Sequence, residues 1–268
     1  MGGSVALAAR KRGLFAEIRG TTRRASTRKT ALELGVIDRA CETAGEAADG
    51  ADMVVVATSV ADIPRFCLEC AAVAAEGAII TDVGSVKGAI ERAVSPNMPG
   101  GRHFVGSHPL AGSETTGVVN ATPELLAGAT CIVEPGENAE PAAVEKLLSF
   151  WRALDMNAVC MTPDRHDCVL AGVSHVPHLA AAALLAAIPE DALPFGASGL
   201  RDATRIAAGD AALWRDIVEA NQHEVHKALV LLQGQIERVR ELVEQKDFAA
   251  IEAYLREADQ KRKRRYDN

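Results

Sequence analysis

Short apolar, β-branched runs alternate with amphipathic stretches through the first 160 or so residues of the chain. ADMVVVATS (51–59) is apolar without alternation, which predicts a strand buried on both faces. AIITDVGS (78–85) repeats the pattern and ends in Asp-Val-Gly-Ser. FAEIRGTT (15–22), HFVGSHP (103–109), ATCIVEPG (129–136) and NAVCMT (157–162) predict further strands. Between them lie three helical patterns: ASTRKTALELG (25–35), IPRFCLECAAVAAEG (63–77) and AEPAAVEKLLSFWRALD (139–155). Ser26 or Thr27 caps the first of these and Gly35 stops it. Alternation of this kind predicts an α/β fold with a parallel, doubly wound sheet.

After Pro163 the period changes. Residues 165–188, 201–208, 210–243 and 247–264 all read as helix, with breaks at 188–199 and around Lys246. The chain therefore divides near residue 163, into an α/β domain (1–162) and an all-helical domain (163–268). Val225, Leu229, Leu232, Ile236, Val239 and Leu242 form a long stripe at helical spacing. So long a stripe on a small helical domain predicts a dimer.

The first residues, MGGSVALAARKRG, predict a helix with a cationic last turn and Gly13 as its stop. A helix that follows a glycine turn is the phosphate-binding half of a dinucleotide fold. Its usual preceding strand and first glycines are not in this sequence.

Composition narrows the class. The chain has 268 residues and a formal net charge of −7, which argues against a protein that coats nucleic acid. The basic tail KRKRRYD reads as a solvated helix end. No stretch reads as a signal peptide, and the longest apolar stretch, Leu179–Ile188, is too short to cross a bilayer. Six cysteines, including a Cys67-x-x-Cys70 pair without a partner pair at zinc spacing, predict reduced, mostly buried thiols in a cytoplasmic protein.

In doubly wound folds, ligands bind beyond the carboxyl ends of the strands. TDVGSVKG (81–88) places Ser85 and Lys87 past one strand, and GSHPLAGSETTG (106–117) places His108, Ser113 and Glu114 past the next. Taken singly, His108 reads as a turn histidine and Ser85 as a helix cap. LAGVSHVPHLAAA (170–182) puts His175 and His178 on one helix face, a weak metal signal without a further ligand. Arg201, Arg205 and Arg215 are suited to carboxylates, or to surface pairing with Asp202, Asp210 and Asp216.

Taken in order, DVGSVKG, GSHPLAGSE, PDRHD, VSHVPH, RDATRIA and LWRDI resemble the prephenate/arogenate dehydrogenase family of tyrosine biosynthesis. The resemblance spans essentially the whole chain. It implies a Rossmann-like domain followed by an all-helical dimerisation domain, and NAD(P)-dependent oxidative decarboxylation of prephenate or arogenate by a homodimer. It implies that His108 accepts the proton of the substrate 4-hydroxyl, with Ser85 hydrogen-bonded near both. It places Ser113, Glu114, His178 and Arg205 at the substrate, while His175 is expected to be structural.

The expected cofactor-binding residues are Gly2, Gly3, Ser4, Thr22, Arg23, Arg24, Thr58, Ser59 and Gly84. The turn Gly20-Thr21-Thr22-Arg23-Arg24 has no acid for a ribose hydroxyl and two cations for a phosphate, which favours NADP over NAD. Gly2 matches the last glycine of the family's Gly-x-Gly-x-x-Gly turn, so Met1 is expected to be an internal methionine of a longer protein. The alternatives are a truncated, inactive paralogue acting as a dimeric binding module, and another two-domain hydroxy-acid dehydrogenase.

Overall fold

A computed structural model describes residues 1–112, 115 and 117–266. The chain begins with helix α1 (Gly2–Lys11), followed by β1 (Arg19–Gly20), α2 (Ala25–Glu33), β2 (Arg39–Ala40), α3 (Ala44–Ala48) and β3 (Met53–Val56). Next come α4 (Ile63–Ala71), β4 (Ile79–Asp82), α5 (Gly88–Val94), β5 (His103–Phe104) and β6 (Gly106–Pro109). β7 (Thr130–Glu134), α6 (Pro141–Ala153) and β8 (Asn157–Cys160) complete the strand-bearing part.

Among the described residues the strands form three small sheets, ordered β1-β2, β3-β4-β5 and β6-β7-β8. Every pairing is parallel except β6 with β7, where His108 lies opposite Ile132. The 103–109 run is thus two strands rather than one. β5 stays on β4, and the chain then turns at Val105 to join β7. The 51–59 run also differs from expectation: Met53, Val54 and Val55 are only half-buried. β3 is the edge strand of its sheet, paired with β4 alone among the described residues, whereas every residue of β4 is buried.

The two largest apolar clusters among the described residues are built on the sheets. Val5, Ala8 and Ala9 of α1 pack with Leu147 and Trp151 of α6 against Val133 and Ile79. Ile63 and Cys67 of α4 pack with Ile90 of α5 and Val86 against Ile80. Full burial of an aromatic such as Trp151 makes its truncation cost about 3–5 kcal/mol.

Four further elements follow: α7 (Pro163–Leu170), α8 (Val176–Ala186), α9 (Ser198–Thr204) and α10 (Ala211–Ala220). Thr162 caps α7 by accepting the Arg165 N–H at 3.4 Å, with Pro163 in the first turn where its missing N–H costs nothing. α7 and α8 are joined without a loop by a π-helical turn, Ala171–His175. Asp210 caps α10 by accepting the Leu213 N–H at 2.9 Å. Ile217 of α10 is part of the Ile63–Val86–Ile90 cluster.

Packing therefore groups Met1–Gln222 into one compact unit and His223–Asn268 into another, whereas the sequence pattern divides near 163. The second unit holds α11 (Gln222–Glu244) and α12 (Phe248–Tyr266). Tyr254 of α12 donates its hydroxyl to Gln235 at 3.4 Å, and Asp247 caps α12 through the Ala250 N–H at 3.0 Å. On the α11 stripe Leu229 and Ile236 are exposed, while Leu232, Val239 and Leu242 are half-buried.

Two expectations need qualification. Leu179–Ile188 overlaps a continuous helical run, Pro163–Ala186, that is long and apolar enough to cross a membrane by length and composition alone. That run carries buried, hydrogen-bonded His166 and Asp167, the polar groups a lipid-facing helix avoids. Of the six free cysteines, Cys41, Cys67, Cys70 and Cys131 are buried, and Cys160 and Cys168 are exposed. Burial pushes the Cys70 thiol up to about 11.

Candidate active site

The site grows from the end of β4. Asp82 is fully buried there, and its carboxylate accepts the Gly84 N–H at 2.8 Å. A Cβ on Gly84 would stand 2.7 Å from Ile63 Cδ1 and 2.9 Å from the Asp82 carboxylate, so the turn needs glycine here for close approach. Lys87, also buried, places Nζ on Asp82 Oδ2 and donates to the Ser107 carbonyl at 2.9 Å. Ser107 Oγ donates to the Asp82 carbonyl at 2.7 Å. A buried ion pair with added hydrogen bonds thus ties the end of β4 to β6. Lys87 is a structural residue of this site.

His108 follows directly on β6 and is half-buried. Its Nδ1 lies 2.8 Å from Nε2 of His166, a fully buried residue of α7. His166 Nδ1 lies 2.9 Å from Asp167 Oδ1. Asp167 in turn accepts the backbone N–H groups of Lys87 and Gly88, each at 2.8 Å. α5 has no capping side chain of its own, so a carboxylate from α7 caps it. A Cβ on Gly88 would fall 2.9 Å from Asp167 Oδ2, which accounts for glycine at that position.

Electrostatics follow from burial. Desolvation holds His108 well below the usual histidine range, and the neighbouring His166, Lys87 and His175 act in the same direction. Burial also lowers His166, with Asp167 opposing. Glu134, at the end of β7, is buried with both carboxyl oxygens lacking a hydrogen-bond partner among the described residues. Burial raises its carboxyl well above the usual carboxylate range. The site therefore presents neutral imidazoles at neutral pH, the form required of a proton acceptor.

The helices bring up a second group. His175 is buried, and Asn221 Nδ2 contacts both its Nδ1 (3.2 Å) and the Asp167 carbonyl (2.9 Å). Burial pushes His175 down to about 4, with Asp167 opposing. Its edge faces Trp214 at 6.2 Å. His178, one turn on, stacks on Trp214 with ring centroids 3.6 Å apart and an interplanar angle of 14°. Burial lowers His178, against the pull of the Ile206 main chain. Gly209 lies over both rings; a Cβ there would meet Trp214 at 2.4 Å and His178 at 2.8 Å. Arg205 is exposed on the turn Arg205–Ala208, which packs on α8.

Of the residues expected at a cofactor, Gly2 stands at the start of α1 beside the turn that carries Thr58 and Ser59. The Gly2 backbone passes so close to β3 that a Cβ would lie 3.0 Å from Ala57 Cβ, beside Thr58 and Ser59. No side chain caps α1 or α2, which leaves first-turn N–H groups available to an anion. Thr22, Arg23 and Arg24 are exposed just before α2. Arg23 acts electrostatically on Asp62, which accepts the Ser59 hydroxyl at 2.7 Å, so this turn and the turn after β3 face one another. An exposed pair of cations beside an uncapped helix end fits a phosphate-bearing dinucleotide.

The structure thus joins His108 to His166 and Asp167, and His178 to Trp214 and the Arg205 turn. It gives Ser85 no hydrogen bond to His108 among the described residues; His166 holds that ring instead. Ser4 is buried, with its hydroxyl oxygen accepting the Thr122 N–H at 3.2 Å, so it supports the fold rather than facing a ligand. Gly3 is likewise in close packing, 2.9 Å from Ala121 for an added Cβ. Arg215 pairs with Asp216 at 2.6 Å on the surface. Ser113 and Glu114 lie outside the described residues. The residues that sequence reasoning left without a role are His166, Asp167, Trp214 and Asn221. The strings PDRHD and LWRDI carried the first three, but nothing in them shows that they meet His108 or His178. Among the described residues, no three His, Cys, Asp or Glu side chains gather as a metal site.

Comparison with known proteins follows this geometry. Residues 5–160 match the family described as "Prephenate dehydrogenase, nucleotide-binding domain", and residues 162–257 match "Prephenate dehydrogenase, dimerization domain". The chain is 34% identical over 265 residues to the prephenate dehydrogenase of Bacillus subtilis, covering 96% of this chain and 71% of that protein. It is similar in structure to prephenate dehydrogenase from Aquifex aeolicus in complex with hydroxyphenyl propionate and NAD+. That match has a TM-score of 0.91 at 29% identity, over 97% of this chain and 93% of the other. It is also similar to Synechocystis arogenate dehydrogenase, with a TM-score of 0.84 at 26% identity over 98% and 95% of the two chains.

Proposed function

The chain belongs to the prephenate dehydrogenase family, and on that premise we propose that it oxidises and decarboxylates prephenate or arogenate in the site built around His108. The observation that carries this reading is a half-exposed, neutral imidazole whose Nδ1 is bonded at 2.8 Å inside the protein and whose Nε2 carries no bond among the described residues.

A nicotinamide dinucleotide held along Gly2, Thr58, Ser59 and Gly84 would supply the hydride acceptor for C4 of the substrate ring. His108 Nε2 accepts the proton of the 4-hydroxyl as the C4–H bond breaks. Loss of the ring carboxylate as carbon dioxide leaves its electron pair in the ring, which becomes aromatic. The resulting phenolate oxygen then takes back the proton from His108. The products are 4-hydroxyphenylpyruvate from prephenate, or tyrosine from arogenate. A neutral base inside a desolvated pocket suits this step, because it costs little to keep unprotonated at neutral pH.

Arg205 fits a substrate carboxylate through charge-assisted hydrogen bonds. His178, held flat on Trp214, positions the turn that carries Arg205. Ser113 and Glu114 belong to the substrate pocket in this reading, and Ser85 lies close to the reacting hydroxyl. Thr22, Arg23 and Arg24 fit the 2′-phosphate of NADP better than the free ribose of NAD, and Gly2, Thr58, Ser59 and Gly84 line the dinucleotide path. Residues 1–162 act as the dinucleotide-binding part, and 163–268 as the helical part that forms a cytoplasmic homodimer through the α11 stripe.

The test is nicotinamide reduction by this chain with prephenate or arogenate, each with NAD and NADP. Reduction with one substrate supports the reading and names the preferred pair. No reduction with any of the four pairs, by protein that is folded and binds nucleotide, overturns it in favour of a binding module without turnover.

A further inference from the structure

We propose that His166 and Asp167 are positioning residues that fix His108 in one tautomer, with the proton on Nδ1 and the lone pair on Nε2. The inference rests on the reading of His108 as proton acceptor and adds what prepares it.

The argument runs outward from Asp167. Its Oδ1 accepts the Lys87 N–H and its Oδ2 accepts the Gly88 N–H, both at 2.8 Å. Backbone N–H groups only donate, so the carboxylate they surround only accepts. His166 Nδ1, 2.9 Å from Oδ1, must therefore be the protonated nitrogen. A neutral imidazole has one N–H, so His166 Nε2 is a lone pair. His108 Nδ1, 2.8 Å from that lone pair, must donate to it. Neutral His108 is then left with a bare Nε2. Each link admits one arrangement of protons, and the reverse order would need a proton on Asp167 against two backbone donors.

The surroundings reinforce this order. Asn221 Nδ2 donates to the Asp167 carbonyl at 2.9 Å and so holds the backbone at that residue. The groups facing His108 electrostatically are His166, Lys87 and His175. Behind His166 stand Asp167, Asp82, Lys87 and Glu134, whose carboxyl lies 3.7 Å from His166 Nε2. When His108 gains a proton, its Nδ1–H goes on donating to His166, and Asp167 supplies the nearest negative charge along the chain of rings. Lys87 opposes that charge, so the carboxylate is needed to keep the imidazolium accessible.

The first test reads the tautomer in the unaltered chain. Histidine 15N NMR of the full chain at neutral pH, with His108 assigned by its loss in His108→Asn, is expected to show Nδ1 protonated and Nε2 bare. A proton on Nε2 overturns the proposal. In Asp167→Asn the amide N–H can donate to His166 Nδ1, which reverses the relay and is expected to put the proton on His108 Nε2. That variant is expected to lose about a hundredfold or more in kcat, with KM changed by no more than about twofold. In His166→Phe the pH at which the basic form of the free enzyme is lost is expected to move. Folded variants with wild-type kcat and an unmoved pH profile overturn the proposal. The base reading fails separately, if His108→Asn retains wild-type turnover while the NMR still reports the expected tautomer.

Discussion

Two regions of the molecule hold their polar side chains in opposite ways. Around His108, the side chains of Asp82, Lys87, His166 and Asp167 are buried and joined through one another or through backbone N–H groups. Around Thr22–Arg24, the side chains are exposed at an uncapped helix start. The difference separates two tasks. Proton chemistry depends on where a ring nitrogen sits and which proton it carries, so it is fixed by a network that cannot be changed one member at a time. In the proposed reading, choice between two dinucleotides depends on a charge at the surface, which can be altered without touching the core.

The largest expected break in this contrast is His108→Asn. Turnover should fall by about 10²–10⁴ with substrate KM little changed, as read by steady-state kinetics. Next is Lys87→Met, which leaves Asp82 buried and unpaired. Urea unfolding should show a loss of about 3–5 kcal/mol. The pH dependence of stability comes third. Burial lowers His108, His166, His175 and His178 in the folded state, so the unfolded chain binds more protons once pH drops below its ordinary histidine value. Stability should be full above about pH 6.5 and fall below it. His175, at about 4, accounts for a loss on the order of 3 kcal/mol across that window. A melting temperature that does not change between pH 7 and pH 4 would contradict this.

Gly88→Ala sharpens the contrast from a distance. The new methyl would fall 2.9 Å from Asp167 Oδ2, and the overpacking should cost about 1–3 kcal/mol while disturbing the ring behind His108. The smallest effect belongs to the exposed region. Arg23→Ser with Arg24→Ser should raise KM for NADP by roughly tenfold, leave KM for NAD nearly unchanged, and leave the melting temperature where it was.

Much of this was legible in the chain. The runs at 51–59 and 78–85 became β3 and β4, and the apolar spacing of 139–155 became α6, because such patterns report the element type, although full burial followed only for β4. The two-residue strands β1 and β2, and the short helices α3 and α5, are set by tertiary contact and have too little pattern to read. The split of 103–109 between two sheets follows from the Lys87–Ser107 and Ser107–Asp82 bonds, which join residues far apart in sequence. For the proposed site, His108 and His178 stood out in glycine-rich and apolar settings, whereas Arg205 was picked out only by the family resemblance. His166 and Asp167 sit in a plain helix start, PDRHD, and their importance lies wholly in what they touch.

The π-helical turn at Ala171–His175 carries one more residue than an α-helical turn needs. In an α-helix each residue advances about 100°, so the extra residue of this turn shifts the phase of α8 against α7 by that much. Here Asn221 reaches both Asp167 and His175. Deleting one residue from this turn would regularise the helix and rotate everything after it, His178 included, by about 100°. A single inserted codon is thus a way for a lineage to re-aim a whole row of pocket residues at once, leaving each of their identities as it was.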